Sequence, residues 1–261
     1  MQAWATSRKH MATNCFPVVR LCENAGRIYL DVLRDNHCTR KDVAALALSL
    51  NQDEWIVSGI GSGILVNDKY LALIKRDAGA PSNPSLWTIT SGLLDDLSEL
   101  TNRFAMYREA FEELWVRVNG QIMMPKFQEP ILSRMASETF AVLNKNFPDV
   151  AMSEETFQAK PVVLDTFDYL EVGGIAYRAI VQRCLPQKTI NILGLLQYEI
   201  GTDATFEDGE HEVLRNGKKS LLHRKVKLFS KAELAIMDAS LMTAHAREII
   251  HKVLQAGAIN G

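Results

Sequence analysis

The sequence has no apolar run long enough to cross a lipid bilayer, because a membrane-spanning helix needs about 20 consecutive apolar residues. It also lacks an excess of charge of either sign, since the formal net charge is −2 over 261 residues. A balanced chain of this kind has no general electrostatic attraction to nucleic acid or to a membrane surface. We therefore predict a globular protein with no membrane partner, in which 47% hydrophobic residues allow a large core.

Cysteine is scarce, and its spacing is not that of a metal or disulfide framework. Cys15, Cys22, Cys38 and Cys184 form no Cys-x-x-Cys pair, so we expect reduced thiols in a cytoplasmic protein. No histidine stands at nucleophile spacing from a cysteine or a serine, and nothing in the sequence predicts covalent catalysis. The N-terminal residues 1–14 are too short and too poor in arginine for a transit peptide, and we interpret them as a frayed terminus.

Charge is instead concentrated in the stretch REAFEELWV, residues 108–116. Residues three and four apart share a face of a helix, so Glu109, Glu112 and Glu113 would lie together, with Arg108 beside them. Three close carboxylates repel one another unless a cation lies among them, and Mg²⁺ prefers oxygen ligands of this kind. The stretch therefore predicts a metal-holding helix, and the alternative is an ordinary solvated charged face.

The apolar residues around this stretch are spaced as in an amphipathic helix. The stripe consists of Leu100, Phe104, Tyr107, Phe111, Leu114 and Val118. It predicts one helix that begins near Leu97, runs past the charged stretch and directs the carboxylates away from the core. Asp96 with Glu99 has the spacing of a capping box at the start of that helix.

A short strand and a glycine loop precede the predicted helix. Residues 86–89 resemble a strand, and Ser91-Gly92 follows, where glycine permits a tight bend and a close approach of the backbone to a ligand. We expect the carbonyl oxygen of Gly92 to face the same ion as the glutamates.

The order of these residues resembles the box of the Nudix hydrolase family: glycine, five residues, Glu, seven residues, then Arg-Glu-aliphatic-x-Glu-Glu-x-Gly-aliphatic. Gly92 matches the first glycine. The second half is matched in register by Arg108, Glu109, Ala110, Glu112, Glu113 and Val116. Trp87 stands where the family carries a tryptophan before the box, and the resemblance covers about residues 56–238.

The sequence departs from the family pattern at two places. The stretch from Gly92 to Arg108 is two residues longer, so Ser98 stands where Glu is expected, with Glu99 beside it. Trp115 replaces the glycine that ends the helix in the family. We expect Asn119-Gly120 to supply the stop signal instead, so that the helix runs one turn further.

The remaining segments predict a mixed sheet with helices around it. The expected elements are strands at 16–33, 63–76, 161–167, 174–184 and 190–200, helices at 40–50, 130–145 and 240–254, and a strand followed by a helix at 227–234. The glycine-rich residues 57–63 are interpreted as the entry to a strand, because no helix follows them as in a dinucleotide fingerprint.

We therefore predict an α+β protein with a Nudix-type α/β/α sandwich. The expected domains are an N-terminal extension of a hairpin plus a helix at residues 1–52, and a hydrolase domain at residues 53–261 with an insertion near 120–160. The preferred interpretation of this extension is simple packing on the core, and the alternative that the resemblance implies is a role in a homodimer or in substrate specificity.

The resemblance implies a pyrophosphohydrolase that cleaves a nucleoside diphosphate linked to another group. Mg²⁺ or Mn²⁺ would be held by Glu109, Glu112, Glu113 and the Gly92 carbonyl, and Arg108 would orient Glu112. Arg76, at the end of a strand, is the expected contact with substrate phosphate. The general base would be one of the helical glutamates or a later carboxylate, and Glu199, Glu210 and Glu212 remain open for the latter.

Two other functions stay open. The first is a catalytically weak or inactive Nudix-fold module that binds nucleotides, which Ser98, Trp115 and the longer loop favour. The second is an RNA-binding or decapping protein that uses the basic run at residues 215–227, although no aromatic residue for base stacking lies within that run. The preferred interpretation of the mixed charges at residues 207–227 is a solvated hairpin.

Overall fold

The computed structural model describes residues 15–39, 43–80, 82–94, 98–214 and 216–259. The chain forms two compact units. The first contains residues 1–60, 92–105 and 168–192, and the second contains residues 61–91, 106–167 and 193–261. Both units combine strands and helices, so the fold is α+β, as predicted.

The strands are numbered in chain order. They are β1 (Cys15–Asn24), β2 (Arg27–Thr39), β3 (Glu54–Val66), β4 (Tyr70–Lys75), β5 (Trp87–Thr88), β6 (Thr90–Gly92), β7 (Leu114–Val118), β8 (Gln121–Lys126), β9 (Met152–Pro161), β10 (Asp168–Val172), β11 (Ile175–Cys184), β12 (Thr189–Glu199), β13 (Thr205–Asp208), β14 (His211–Val213), β15 (Lys219–Leu221) and β16 (Val226–Ser230).

The α-helices are mostly short. They are α1 (Val43–Ala47), α2 (Ser98–Thr101), α3 (Arg108–Glu113), α4 (Pro130–Asn146), α5 (Lys231–Ile236) and α6 (Ala244–Gln255), with 3₁₀ turns at Ala105–Tyr107 and Ala239–Leu241. None of the helices in the described ranges is both long enough and apolar enough to cross a membrane.

In the first unit, β2 lies between β1, which is antiparallel to it, and β10, which is parallel. β11 continues from β10 as an antiparallel neighbour, and the beginning of β3 pairs with β1. Val18 and Ile56 are fully buried at the centre of this unit. The side chains packed against them include those of Val43 and Leu46 on α1, so the helix covers one face of the strands, as its apolar residues require.

In the second unit, β4 lies between the end of β3 and β16, and both neighbours are antiparallel to it. A further set has β7 between β13 and β8, with β9 parallel to β8 and the end of β12 antiparallel to β9. Helix α4 contacts α3 and β8, and α6 contacts α5 and β5. The sheet pairing is therefore mixed in each unit, as the sequence predicts.

Tight hairpin turns follow the asparagine and glycine signals of the sequence. Asn67 and Asp68 have φ angles of 51° and 55°, and the amide of Lys69 donates to the carbonyl of Val66 at 3.0 Å. Positive φ angles at both central residues match the twist of the flanking strands, which explains the predicted turn between β3 and β4.

The glycine-rich residues 57–63 lie within β3, as predicted, and close packing explains two of the glycines. A Cβ atom at Gly61 would lie 2.5 Å from the carbonyl oxygen of Thr90 on β6. A Cβ atom at Gly63 would lie 2.7 Å from Ile249 of α6. These glycines let a strand and a helix approach β3 closely, which is a packing role rather than a phosphate-binding one.

The long helix predicted over residues 97 to 120 is wrong. α2 and α3 are separate, and the chain becomes extended at Leu114, where φ is −128° and ψ is 107°. β7 then pairs on both sides, with β8 and β13. Because this pairing satisfies the strand's backbone groups, it prevails over the helical spacing of the apolar residues.

The signal at Asn119-Gly120 has a different role from the helix stop expected of it. The φ angles of Asn119 and Gly120 are 49° and 81°, and Val118 pairs with Gln121 directly across the turn. The dipeptide therefore forms the turn of the β7–β8 hairpin, for which two positive φ angles are favoured.

The other segment predictions divide as follows. The helix at 130–145 and the strands at 16–33, 174–184 and 190–200 are confirmed, as is the strand followed by a helix at 227–234. The strand predicted at 161–167 is wrong, because β9 ends at Pro161. The amide of Val162 donates to the carbonyl of Leu195 at 2.8 Å, and residues 162–167 then form no strand. Asp96, Leu97 and residues 1–14 lie outside the described residues, and the boundary expected at residue 52 stays a prediction.

Candidate functional site

The predicted cluster of charged residues lies on α3, in the second unit. Nη1 of Arg108 is 2.8 Å from Oε1 of Glu109 and 3.6 Å from Oε1 of Glu112. One guanidinium group therefore pairs with two carboxylates, and the pairing expected between Arg108 and Glu112 is accompanied by a shorter one. Both partners are held in fixed directions, since a charge-assisted contact restricts the carboxylate more than water does.

The expectation that these carboxylates point away from the core is wrong. Glu109 and Glu113 are only 8% and 6% exposed. The physical reason is the end of the helix at Glu113: β13 pairs with β7 immediately beyond it, and the amide of Gly209 donates to the carbonyl of Glu113 at 3.0 Å. The chain after β13 thus covers the last turn of α3.

Glu113 contacts residues from two other segments of the chain. Its Oε2 accepts a hydrogen bond from the amide of Ser91 at 3.0 Å, and its Oε1 lies 3.6 Å from Nη2 of Arg224. The carboxyl groups of Glu113 and Glu210 share a further hydrogen bond. Burial, this hydrogen bond and the charge of Glu109 raise the pKa of Glu113 well above its ordinary value.

Arg224 and Asp208 form a buried pair beneath Glu113. Nε and Nη2 of Arg224 donate to Oδ2 and Oδ1 of Asp208 at 2.9 and 2.7 Å, and the backbone amide of Arg224 donates to Oδ2 at 2.8 Å. The Asp208 side chain is 0% exposed and that of Arg224 is 7% exposed. A two-point bond of this kind fixes the plane of the guanidinium group.

Of the three late carboxylates left open by the sequence, Glu210 is the one that meets α3. Its Oε2 lies 3.7 Å from Nη2 of Arg224. Burial alone would raise the pKa of Glu210, but the hydrogen bond from Glu113 and the charge of Arg224 outweigh it and lower the pKa. Glu199 instead pairs with Lys160 at 3.2 Å, and Glu212 lies exposed on β14.

Trp115, which stands in place of the glycine of the box, is fully buried on β7. Its ring packs against Phe147, with ring centroids 6.3 Å apart. On its other side lies Gly209, where a Cβ atom would be 2.4 Å from Nε1 of the indole. The Nε1 atom is buried without a hydrogen-bond partner, because a glycine backbone takes up the space in front of it.

The other predicted site residues lie elsewhere. Gly92 belongs to the first unit, where its carbonyl oxygen lies 2.9 Å from the position a Cβ atom would take at Gly59. Glu99 is in the same unit on α2 and is buried. Arg76 belongs to the second unit, and its Nε donates to the carbonyl of Ser82 at 3.0 Å. The roles of Gly92 and Arg76 stay predictions.

The donor set on α3 suits a divalent cation in its chemistry, because carboxylate oxygens are the ligands that Mg²⁺ and Mn²⁺ prefer. The charge of Glu109 raises the pKa of Glu113, so these two groups are close enough for a shared cation to relieve their repulsion. Among the residues that the structure describes, however, no three His, Cys, Asp or Glu side chains are grouped as metal ligands. The carboxylates are turned towards Arg108 and Arg224 instead, and the metal site stays a prediction.

The hairpin predicted for the mixed charges is present in part. β14 and β15 pair, and the described side chains around their turn are exposed or half-buried. Asp208 and Arg224 depart from the expected solvated face, because both are buried at the ends of this segment. The sequence analysis missed these two residues as site residues, and the only available signal was opposite charge on either side of a predicted hairpin.

Comparisons with known proteins give only distant likenesses. No family model matches the chain, and no curated protein matches its sequence. A bifunctional NMN adenylyltransferase/ADP ribose pyrophosphatase from Francisella tularensis aligns over 82% of this chain at 14% identity with a TM-score of 0.38, and the chain spans 45% of that protein. A NUDIX hydrolase from Nitrosomonas europaea aligns over 91% of this chain and 85% of its own at 13% identity, with a TM-score of 0.37. Likenesses at this distance are too weak to assign an activity.

Proposed function

We propose that the protein is a Nudix-type hydrolase that cleaves a phosphoric anhydride bond in a nucleoside diphosphate linked to another group. The observation that carries this proposal is the arrangement at the end of α3. Arg108, Glu109, Glu112 and Glu113 share one short helix, and the late carboxylate of Glu210 meets Glu113 there. The resemblance of residues 92–116 to the Nudix box supports the same activity, and an α/β/α sandwich is the fold proposed with it.

The proposed chemistry needs a cation and an activated water molecule. Mg²⁺ or Mn²⁺, held by Glu109, Glu112, Glu113 and the Gly92 carbonyl, would neutralise the pyrophosphate and lower the pKa of a bound water. Arg108 fixes the directions of Glu109 and Glu112. The amide of Ser91 fixes one oxygen of Glu113, so the helix presents its carboxylates in set positions before substrate arrives.

Glu210 is the proposed general base. Its side chain is 35% exposed, which gives it access to solvent. The hydrogen bond from Glu113 and the charge of Arg224 lower its pKa, which keeps it ionised but makes it a weak base, so its contribution depends on position more than on basicity. Glu113, by contrast, is buried and has a raised pKa.

The proposed substrate class is an ADP-ribose, nucleotide-sugar or dinucleotide type of compound, with Arg76 as a phosphate contact. The N-terminal hairpin and α1 are proposed to shape substrate specificity or a homodimer.

The experiment is hydrolysis of a panel of nucleotides with Mg²⁺ or Mn²⁺. The panel contains ADP-ribose, NADH, dinucleoside polyphosphates, nucleotide sugars, nucleoside triphosphates and capped RNA. Glu113→Gln is compared with Glu138→Gln, which makes the same change in an exposed pair with Arg134 on α4. We expect turnover of one class of compound that is lost in Glu113→Gln and retained in Glu138→Gln. If the wild-type protein hydrolyses none of these compounds, the proposal that it is a hydrolase is overturned.

A nucleotide-binding module without turnover is the second candidate. It is favoured by the pairing of the α3 carboxylates with Arg108 and Arg224, which offsets part of their negative charge without a metal. Calorimetric titration of the same compounds separates the two candidates, because a binding module would retain nucleotide affinity and show no hydrolysis.

A further inference from the structure

Arg224 lies among three carboxyl groups, one on α3 and two in the segment around Gly209. Its Nη2 atom lies 2.7 Å from Asp208, 3.6 Å from Glu113 and 3.7 Å from Glu210. Asp208 forms the two-point hydrogen bond with the guanidinium group, whereas Glu113 and Glu210 interact with its positive charge at longer range. The pairing with Asp208 thus holds the cation, and the other two carboxyl groups are arranged around it.

We infer that Arg224 is a positioning residue, clamped by Asp208, that holds the carboxyl groups of Glu113 and Glu210 together at the end of α3. This inference rests on the proposed function for its catalytic meaning, because Glu113 and Glu210 are the site residues that it positions. Arg224 itself is 7% exposed and is bonded at two points to Asp208, so it acts through the carboxylates rather than on substrate.

The backbone of this segment is fixed on both sides of Glu210. The amide of Glu210 donates to Oδ1 of Asp208 at 3.1 Å, and its carbonyl accepts from the amide of Leu222 at 2.9 Å. Between Asp208 and Glu210, Gly209 packs against Trp115. Asp208 therefore anchors both the guanidinium group of Arg224 and the backbone of Glu210, whose carboxylate is attracted by that group.

The role of the positive charge of Arg224 is tested by introducing Glu210→Gln into the wild type and into variants of Arg224, and by comparing the change in melting temperature. In the wild type, Glu210→Gln removes an attraction to Arg224, so the melting temperature falls or stays the same. In Arg224→Gln, the same change relieves repulsion between Glu210 and its carboxylate neighbours. We expect it to raise the melting temperature there by about 3 °C or more. The sign of the effect therefore reverses, which a packing role for Arg224 would not produce.

Two further backgrounds control this comparison. Arg117→Gln is the matched control, because Arg117 on β7 pairs at 2.5 Å with Glu207 on β13 rather than with Glu210, so Glu210→Gln should act in it as in the wild type. Arg224→Lys keeps the charge without the two-point bond, and the wild-type sign is expected again. If Arg224→Gln fails to fold, the double variant Asp208→Asn/Arg224→Gln replaces it. In that variant residue 208 is uncharged, so no buried carboxylate at this position lacks a positive partner. An effect of the same sign and size in the charged and uncharged backgrounds overturns the inference.

A kinetic measurement adds a readout specific to positioning. With any substrate found in the panel, Arg224→Lys should lower kcat by at least about tenfold, since misplacing catalytic groups by small distances costs that much or more. KM should stay within about threefold, because Arg224 does not touch substrate. A rise in KM with an unchanged kcat would overturn the inference. If no compound is hydrolysed, the hydrolase proposal fails, whereas the stability comparison still decides the role of Arg224.

Discussion

The indole ring of Trp115 fills the space that a side chain at residue 209 would need. A Cβ atom at Gly209 would lie 2.4 Å from Cε2 of Trp115 and 2.3 Å from the carbonyl oxygen of Glu112. In the Nudix box that the sequence resembles, the glycine stands at position 115. Here Trp115 is on β7, and Gly209 follows the neighbouring strand β13.

Gly209→Ala should therefore lower the free energy of unfolding by about 1–3 kcal/mol, the usual cost of an added methyl group in a packed interior. The added methyl group meets backbone and a buried ring, neither of which can move aside freely. Urea denaturation measures the change. Gly79→Ala is the matched control, because nothing lies within 4 Å of its Cβ position, and its stability should be unchanged or slightly higher. Equal stabilities of the two variants would contradict the packing described.

The three late carboxylates should differ in their effect on turnover. Glu210→Gln is expected to lower kcat by about 10²–10⁴, the usual contribution of a general base. Glu212→Gln should leave kcat almost unchanged, because Glu212 is exposed on β14. Glu199→Gln removes an exposed ion pair with Lys160 and should behave in the same way. Steady-state kinetics on one hydrolysed compound checks all three, and equal losses would remove Glu210 from the proposed role.

Local signals predicted the parts of the fold that depend on neighbouring residues. The turn at Asn67-Asp68 and the helix α4 follow from positive-φ residues and from apolar periodicity, and both are present. The helix over residues 97 to 120 failed for the opposite reason. LWVRV has helical spacing relative to Phe111, but it also has the composition of a strand, and pairing with β8 and β13 decided the outcome.

The candidate site was predictable only in part on the same basis. Arg108 and the glutamates of α3 are neighbours in sequence, so their spacing was enough to group them. Asp208 and Arg224 join Glu113 only through the pairing of β13 with β7 and the hairpin beyond it. Such long-range register has no local signal, and a charged segment on its own indicates a solvated face more readily than a buried pair.

Glu113→Gln should stabilise the protein at alkaline pH relative to the wild type. The pKa of Glu113 is raised in the folded state by burial, by its hydrogen bond with Glu210 and by Glu109. A raised pKa means that the folded protein keeps a proton that the unfolded chain has released, so its contribution to stability is lost as pH rises. Glutamine is uncharged at every pH, so the Glu113→Gln variant does not lose this stability as the pH rises.

Urea denaturation at several pH values upward from about 4.5, the ordinary value for glutamate, measures this difference, which should grow with pH until the pKa of Glu113 in the folded protein is passed. Glu138→Gln, in an exposed ion pair, is the control and should show no such growth. A Glu113→Gln variant that is less stable than the wild type throughout this range would contradict the buried environment assigned to Glu113.

His245, on α6, should make the protein less stable as the pH falls through the mildly acidic range. Burial and the nearby charge of Arg76 lower the pKa of His245 to about 4. Between about pH 6.5, the ordinary value for histidine, and about pH 4, the unfolded chain takes up a proton that the folded protein does not, so stability decreases by up to about 3 kcal/mol. His245→Gln removes this titration and should make the pH dependence flatter. His251→Gln, on the exposed face of the same helix, is the control for the loss of a histidine. If His245→Gln and the wild type lose stability in parallel from pH 6.5 to pH 4, His245 is not buried in its neutral form.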